Sequence, residues 1–298
     1  PSARVILVGD IHQLPSVGAG EVFRQLILCG KIPVTTLDLV YRQGKNSNIA
    51  LNAKLMQQGR TDLIEGEDFQ MIACKGAEEA AQIVKELYVK ELAVHGMDQV
   101  QILSPYKVRS AAGVIEINRT IQDLVNPPIS GKKELHIHDH IFREGDKVLQ
   151  NKNTEVVSNG DMGILTEISE DEDGNPLARI VFPDGRSVLY EADQMDMVEH
   201  ANAITIHKSQ GNECQVVIIP WVWAFYKMLK RNILYTGITR AKQKVYLVGE
   251  KKAITVAIKQ ESTGTRNTIL AERIRYYCDI YQKPTQRQPK MEQLRLAV

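Results

Sequence analysis

The chain has 298 residues, 43% hydrophobic and 24% charged, enough to bury a sizeable core as two domains or as one large domain with an insertion. No apolar run reaches 18 residues and the opening Pro1-Ser2-Ala3-Arg4 has no leader character, which predicts neither a transmembrane helix nor a secretory signal. Cys29, Cys74, Cys214 and Cys278 form no CxxC, which argues against a disulfide scaffold or cysteine zinc site and for a reducing, cytoplasmic compartment, while 37 basic against 36 acidic residues say nothing alone about nucleic acid.

Residues 5–8 are an apolar run closed by Gly9-Asp10, read as a buried parallel strand with a polar loop at its carboxyl end, where α/β proteins place ligands. A chain that opens on Pro1 and enters such a run at once reads as a piece of a longer protein. Residues 20–28 carry Val22, Phe23, Leu26 and Ile27 at helical spacing; Pro33 ends that pattern, and 35–40 reads as a strand. Helices are predicted over 47–58, stopped by Gly59, and over 77–95, with Ala80, Ile83, Val84, Leu87 and Leu92 on one face and Gly96 as the stop. Residues 100–103 form a second buried strand running into Ser104-Pro105-Tyr106, and 112–125 a helix halted by Asn126-Pro127-Pro128.

The texture then changes. Residues 147–189 hold short runs separated by Asn159-Gly160, Asp173-Gly174-Asn175-Pro176 and Pro183-Asp184-Gly185, which predicts a small barrel of antiparallel strands. Between positions 139 and 199 there are 15 acidic and 5 basic residues, an acidic module inside a basic body. Residues 203–206, 216–220 and 245–248 return to the buried-strand pattern, and the polar stretch from Lys283, with Pro284 and Pro289, reads as a loose tail.

Three segments carry groups suited to phosphate. They are Gly9-Asp10-Ile11-His12-Gln13-Leu14-Pro15-Ser16-Val17-Gly18 after the first strand, Thr205-Ile206-His207-Lys208-Ser209-Gln210-Gly211-Asn212-Glu213 after a later one, and Tyr235-Thr236-Gly237-Ile238-Thr239-Arg240-Ala241-Lys242 on a predicted helix. No GxxxxGK[ST] occurs, so no phosphate loop with its lysine is present. Asp171-Glu172 precedes Gly174-Asn175-Pro176 and reads as a hairpin tip, not a Mg²⁺-holding strand end. His136-Ile137-His138-Asp139-His140 reads as a solvated strand with three histidines on one face, not a metal site. Trp221, Trp223, Phe225 and Tyr226 follow an apolar strand and read as core or interdomain packing ahead of a base-stacking surface.

In this order the segments resemble the C-terminal motor half of superfamily 1 helicases of the RecD type, the family of the exodeoxyribonuclease V α chain. Gly9-Asp10-x-x-Gln13-Leu14-Pro15-Ser16-Val17-Gly18 resembles motif III, and Tyr41-Arg42-Gln43 the motif IV arginine segment. Ser104-Pro105-Tyr106 through Asn118 and Asn126-Pro127 resembles the region that follows. Phe142-x-x-Gly145-Asp146-Lys147-Val148 with Asn159-Gly160-Asp161-x-Gly163 is similar to the entry into a small SH3-like insertion. His207-Lys208-Ser209-Gln210-Gly211-x-Glu213 resembles motif V and Tyr235-Thr236-x-x-Thr239-Arg240-Ala241 motif VI.

The resemblance implies an α/β fold: a RecA-like, P-loop NTPase-type second motor domain interrupted by a small SH3-like β-barrel insertion. The implied boundaries are 1–34 for a remnant of the first motor domain, 35–140 and 200–282 for the second, 141–199 for the insertion and 283–298 for a flexible tail. The implied function is ATP-dependent translocation on single-stranded DNA and duplex unwinding, 5′ to 3′, in DNA repair and recombination. ATP and Mg²⁺ would be held mainly by an upstream motor domain, which is itself a partner, as are single-stranded DNA and repair-complex subunits docking on the acidic insertion; no membrane is involved. Without a phosphate loop the chain alone is expected to be inactive.

By the same resemblance Gln13, Arg42 and Arg240 are the catalytic candidates. The arginines would reach across the cleft, since a guanidinium grips phosphate oxygens bidentately, and Gln13 would sense the γ-phosphate or attacking water through its paired donor and acceptor. Gly9, Asp10, Gly211 and Glu213 join them around the nucleotide, Glu213 near the sugar. Thr205, His207, Lys208 and Ser209 would meet the DNA backbone, with Lys107 and Arg109 beside them. Two other readings stay open: a nucleic-acid-binding or partner-docking module without ATPase activity, and the helicase half of a conjugative relaxase.

Overall fold

The computed structural model describes residues 3–15, 18, 20–37, 47–260 and 268–281. In chain order the elements are α1 (Val22–Leu28), α2 (Asn48–Gln57), β1 (Phe69–Ala73), α3 (Gly76–His95), β2 (Val100–Ser104), α4 (Val114–Val125), β3 (Glu134–Ile137), β4 (His140–Arg143), β5 (Lys147–Gln150), β6 (Met162–Glu170), β7 (Pro176–Val181) and β8 (Ser187–Glu191). They continue as β9 (Val198–His200), β10 (Ala203–Thr205), β11 (Cys214–Trp221), α5 (Arg231–Ile238), β12 (Ala241–Gly249), α6 (Lys251–Lys259) and α7 (Leu270–Tyr281). Two compact units result, one from Pro1–Ile11, Pro15–Asp38 and Thr263–Val298, the other from His12–Leu14 and Leu39–Ser262.

In the first unit α1 lies against α7. Arg275 donates to the Leu28 and Cys29 carbonyls at 2.6 and 3.1 Å, satisfying the open carboxyl end of α1, and Lys31 pairs with Asp279 at 2.5 Å. Residues 5–8 correct the expectation of a buried strand: Val5, Ile6, Leu7 and Val8 are all exposed, and no described strand pairs with them. An apolar run becomes a strand only where a neighbour completes its backbone ladder. Residues 35–37 likewise form no strand, and 38–40 lie outside the described residues. α7 belongs to the unit of α1.

The second unit is built on a five-stranded sheet in the order β1-β12-β11-β2-β10, with every pairing parallel. Parallel sheets are covered on both faces, and accordingly every residue of β2 is buried and β11 is buried but for Gln215. Ser47 caps α2 by accepting from the Ile49 amide at 3.1 Å, and Gly59, at φ 73°, turns the chain out of it. α3 buries Ala77, Ala80, Ala81, Val84 and Tyr88 at helical spacing. Trp221 and Phe225 are fully buried as expected for packing, whereas Trp223 and Tyr226 are exposed, 41% and 59%.

A second sheet, antiparallel in the order β8-β7-β6-β5-β9, interrupts this unit between α4 and β10. Its core includes Val148, Leu165, Ile168, Ala178, Ile180 and Tyr190, and the β3–β4 hairpin adds Leu135 and Phe142. Asp171-Glu172 does occupy a hairpin tip, where Asp171 accepts from the amides of Asp173 and Asn175 at 2.9 and 2.8 Å. The 136–140 histidines are not on one extended strand: the chain reverses at His138, φ 50°, so that Ile137 stands opposite His140.

Candidate functional site

β10 delivers the 205–213 segment at its carboxyl end, and this loop crosses to the amino ends of β11 and β12. There Arg240, the last residue before β12, is buried at 5% exposure. Its Nη2 donates to Gln13 Oε1 at 2.9 Å, its Nε to the Thr236 carbonyl at 3.3 Å and its Nη1 to the Asn212 carbonyl at 3.4 Å. The neighbouring Leu14 is held twice: its amide donates to Thr236 Oγ1 at 2.9 Å and its carbonyl accepts from Gln210 Nε2 at 2.9 Å. Tyr235 takes a hydrogen bond from Gln57 Nε2 at 2.9 Å and meets the His12 ring edge-on at 6.1 Å. Three segments that are remote in sequence thus meet at one buried guanidinium.

Gly237 lets α5 approach the sheet, since a Cβ there would stand 3.1 Å from Ile219 Cδ1 and 3.4 Å from Ile206 Cδ1. Gly211 turns the loop at φ 89°, a conformation side-chain-bearing residues rarely adopt. Glu213 pairs with Lys242 at 3.3 Å. Gly9 and Asp10 fall in the first unit, where the position of a Gly9 Cβ lies 3.1 Å from the Phe23 ring; neither follows a strand. Tyr41, Arg42 and Gln43 lie outside the described residues.

The residues read as DNA contacts divide. Ser209 is 2% exposed and its hydroxyl donates to the Ile206 carbonyl at 2.8 Å, and Thr205 Oγ1 accepts from the Lys208 amide at 3.3 Å. The Ser209 hydroxyl donates within the turn after β10 and Thr205 Oγ1 accepts within the same turn, since a loop that leaves a buried strand must satisfy its own backbone first. His207 is exposed; partial covering of its ring, and then the Lys230 charge, push the imidazole below its ordinary value and keep it neutral at pH 7. Arg109 is exposed and left-handed, φ 63°. Lys107 and Lys208 both reach Glu199, at 2.6 and 2.9 Å.

Residues that sequence reasoning did not single out complete these contacts. Gln210, Asn212 and Thr236 stood inside the quoted segments without a role, whereas Asn151 and Glu199 had no signal beyond polarity. The acidic excess of the insertion is partly spent within it, since Arg186 binds Asp161 and Asp184 and Arg179 binds Glu167.

A parallel sheet carrying the 205–213 loop and Arg240 at its strand ends defines an α/β motor-type domain with an antiparallel insertion. Residues 117–182 match the model of the ATP-dependent RecD-like DNA helicase SH3 domain, 200–248 that of the UvrD-like helicase C-terminal domain and 1–78 an AAA domain. The ATP-dependent RecD2 DNA helicase of Deinococcus radiodurans is 31% identical over 281 residues, 92% of this chain and 36% of that protein. The RecBCD enzyme subunit RecD of Mycolicibacterium smegmatis is 27% identical over 304 residues, 92% of this chain and 50% of that one. A crystal structure of Bacteroides Pif1 bound to ssDNA shares the fold, with TM-score 0.50 and 15% identity over 85% of this chain and 64% of that chain. The chain is similar to RecD-like helicases over most of its own length and spans half or less of the length of these two relatives. Among the described residues no helix is long and apolar enough to cross a membrane.

Proposed function

We propose that this chain is the second-motor portion of an ATP-dependent DNA helicase. Arg240 and Gln13 face the nucleotide, and the Lys107–Lys208 side faces single-stranded DNA. The observation that carries the reading is the 2.9 Å hydrogen bond from Arg240 to Gln13 inside a buried node that also holds the 205–213 loop. Phosphoryl transfer needs positive charge and positioned donors where negative charge develops, and a guanidinium fits the phosphate end of ATP. Gln13, bonded to that guanidinium, would report the state of the phosphate to the 12–14 segment. Arg42 is proposed as the companion arginine, and Gly9, Asp10, Gly211 and Glu213 as further residues around the nucleotide, Glu213 near the sugar.

The sequence has no GxxxxGK[ST]. ATP·Mg²⁺ would therefore be held mainly by an upstream motor domain. Translocation 5′ to 3′, a role in repair and recombination, and docking of repair subunits on the insertion belong to the same proposal, as does the division into 1–34, 35–140 with 200–282, 141–199 and 283–298. The decisive measurement is DNA-stimulated ATP hydrolysis by this chain and by a longer protein containing it. The longer protein should turn over and the chain alone should not; clear turnover by the chain that disappears in Arg240→Ala overturns the reading.

A further inference from the structure

Lys107 follows β2 and Lys208 follows β10, so both stand at the carboxyl edge of the parallel sheet. Both donate to the same carboxylate, Lys107 to Glu199 Oε1 at 2.6 Å and Lys208 to Glu199 Oε2 at 2.9 Å, and Lys208 also donates to Asn151 Oδ1. Asn151 and Glu199 come from the insertion. Its first and last strands pair antiparallel with Leu149 opposite Glu199, which carries both side chains to the lysines.

This cluster stabilises the fold only weakly. The three charged side chains are 28% to 45% exposed, and ion pairs of that kind contribute about 1 kcal/mol or less. A weak contact on a wet edge is exchangeable for another anion. Burial pushes the Glu199 carboxyl up, but the hydrogen bonds from Lys107 and Lys208 outweigh it and hold the group below its ordinary value, so it is ionised at neutral pH. Two ammonium groups on the two oxygens of one anion is also how a phosphodiester, with its two non-bridging oxygens, would be held.

We propose that Lys107 and Lys208, with Asn151 beside them, form a subsite for one backbone phosphate of single-stranded DNA, and that Glu199 fills it as a built-in competitor until the strand arrives. The proposal rests on the reading of this edge as the DNA-facing one. The phosphate displaces the carboxylate, and β9 then loses its tie to the loop after β10, so occupancy by DNA is felt at the root of the insertion. With Glu199 in place the cluster carries a net charge of +1; without it, +2.

The test is fluorescence anisotropy of a labelled oligothymidylate titrated with the full 298-residue chain at several salt concentrations, with thermal melts to establish that each variant is folded. Glu199→Gln should bind about 3- to 10-fold more tightly at low salt, with a log–log salt slope steeper by about 0.7, one phosphate's worth on a single strand. Lys107→Ala/Lys208→Ala should bind more weakly, and adding Glu199→Gln to that pair should change nothing. A Glu199→Gln chain that binds like wild type, or more weakly, overturns the competitor while the DNA-facing reading stands, the weaker case making Glu199 a residue that positions the lysines. A chain that binds no oligothymidylate, or a double lysine variant with unchanged affinity and slope, overturns both.

Discussion

Arg240 and the Asp146–Lys147 pair are all nearly solvent-free, at 5%, 1% and 2% exposure, yet they draw their partners from different distances. Asp146 accepts from Gln122 and Asn126 at 2.7 Å, from the Arg143 amide at 2.8 Å and lies 3.2 Å from His200 Nε2. Lys147 donates to the carbonyls of Met97 and Val100 at 2.8 and 3.1 Å and to Gln101 Oε1 at 3.0 Å. These partners are helices and strands packed at the root of the insertion. Arg240 instead takes Gln13, 227 positions away, from a segment of three residues whose flanks belong to the other unit. A charge enclosed by its own framework is a structural rivet. A charge completed by a short, distant segment can be regrouped without disturbing the sheet. The root should therefore read out as stability and the node as rate.

The largest effect should fall on the node. If Arg240 has its proposed role on charge developing in the transition state, Arg240→Ala in a longer protein containing this chain should lower the kcat of ATP hydrolysis by about 10³-fold, with KM changed several-fold at most. Steady-state kinetics and a melting curve on the same preparation check it; a collapsed fold with normal kcat in the folded fraction would erase the contrast. At the root, Asp146→Ala leaves buried donors on Gln122, Asn126 and Arg143 without their acceptor and should cost about 3–4 kcal/mol by urea unfolding. Lys147→Met should cost about 2–3 kcal/mol by stranding three acceptors, and hydrolysis by the folded protein should hold.

The root also sets an acid limit. Burial pushes Asp146 up, but its hydrogen bond from His200, the His200 charge and the Asn126 and Arg143 donors bring it below the ordinary 3.8. A carboxyl depressed in the folded state contributes stability that is complete above its unfolded pKa and is lost as pH falls through the folded one. Urea titrations from pH 7 down should show wild type losing, below about pH 4, an advantage over Asp146→Asn that it holds at neutral pH. The smallest effect belongs to the insertion surface: Arg179→Ala removes a 2.8 Å pair with Glu167 whose members are 41% and 51% exposed, and should cost under about 1 kcal/mol.

Much of this was legible before any coordinate. The helices over 47–58 and 77–95 carry their own stops in Gly59 and Gly96, and the strands at 100–103, 203–206, 216–220 and 245–248 are written as apolar runs, because a strand covered on both faces tolerates little else. Phe69–Ala73 escaped notice because a five-residue edge strand has no periodicity of its own and is made by β12 beside it. Lys251–Lys259 is rich in β-branched residues, which favour strands, and is helical because that turn buries Ala253, Ile254, Ala257 and Ile258 together. In residues 5–8 the pattern without a paired strand yields an exposed segment.

Each polar segment alone suits phosphate and no more; the RecD-like reading came from their resemblance, in this order, to that family's motifs. Tertiary structure alone decided what those residues touch. It turned the Ser209 hydroxyl inward to close a turn, brought Gln13 to Arg240, and set Glu199 between two lysines taken from the ends of different strands. Local sequence governs which backbone conformations are cheap and which faces are apolar. Which charge meets which across tens or hundreds of positions depends on strand order and register, quantities that exist only once the sheets are assembled.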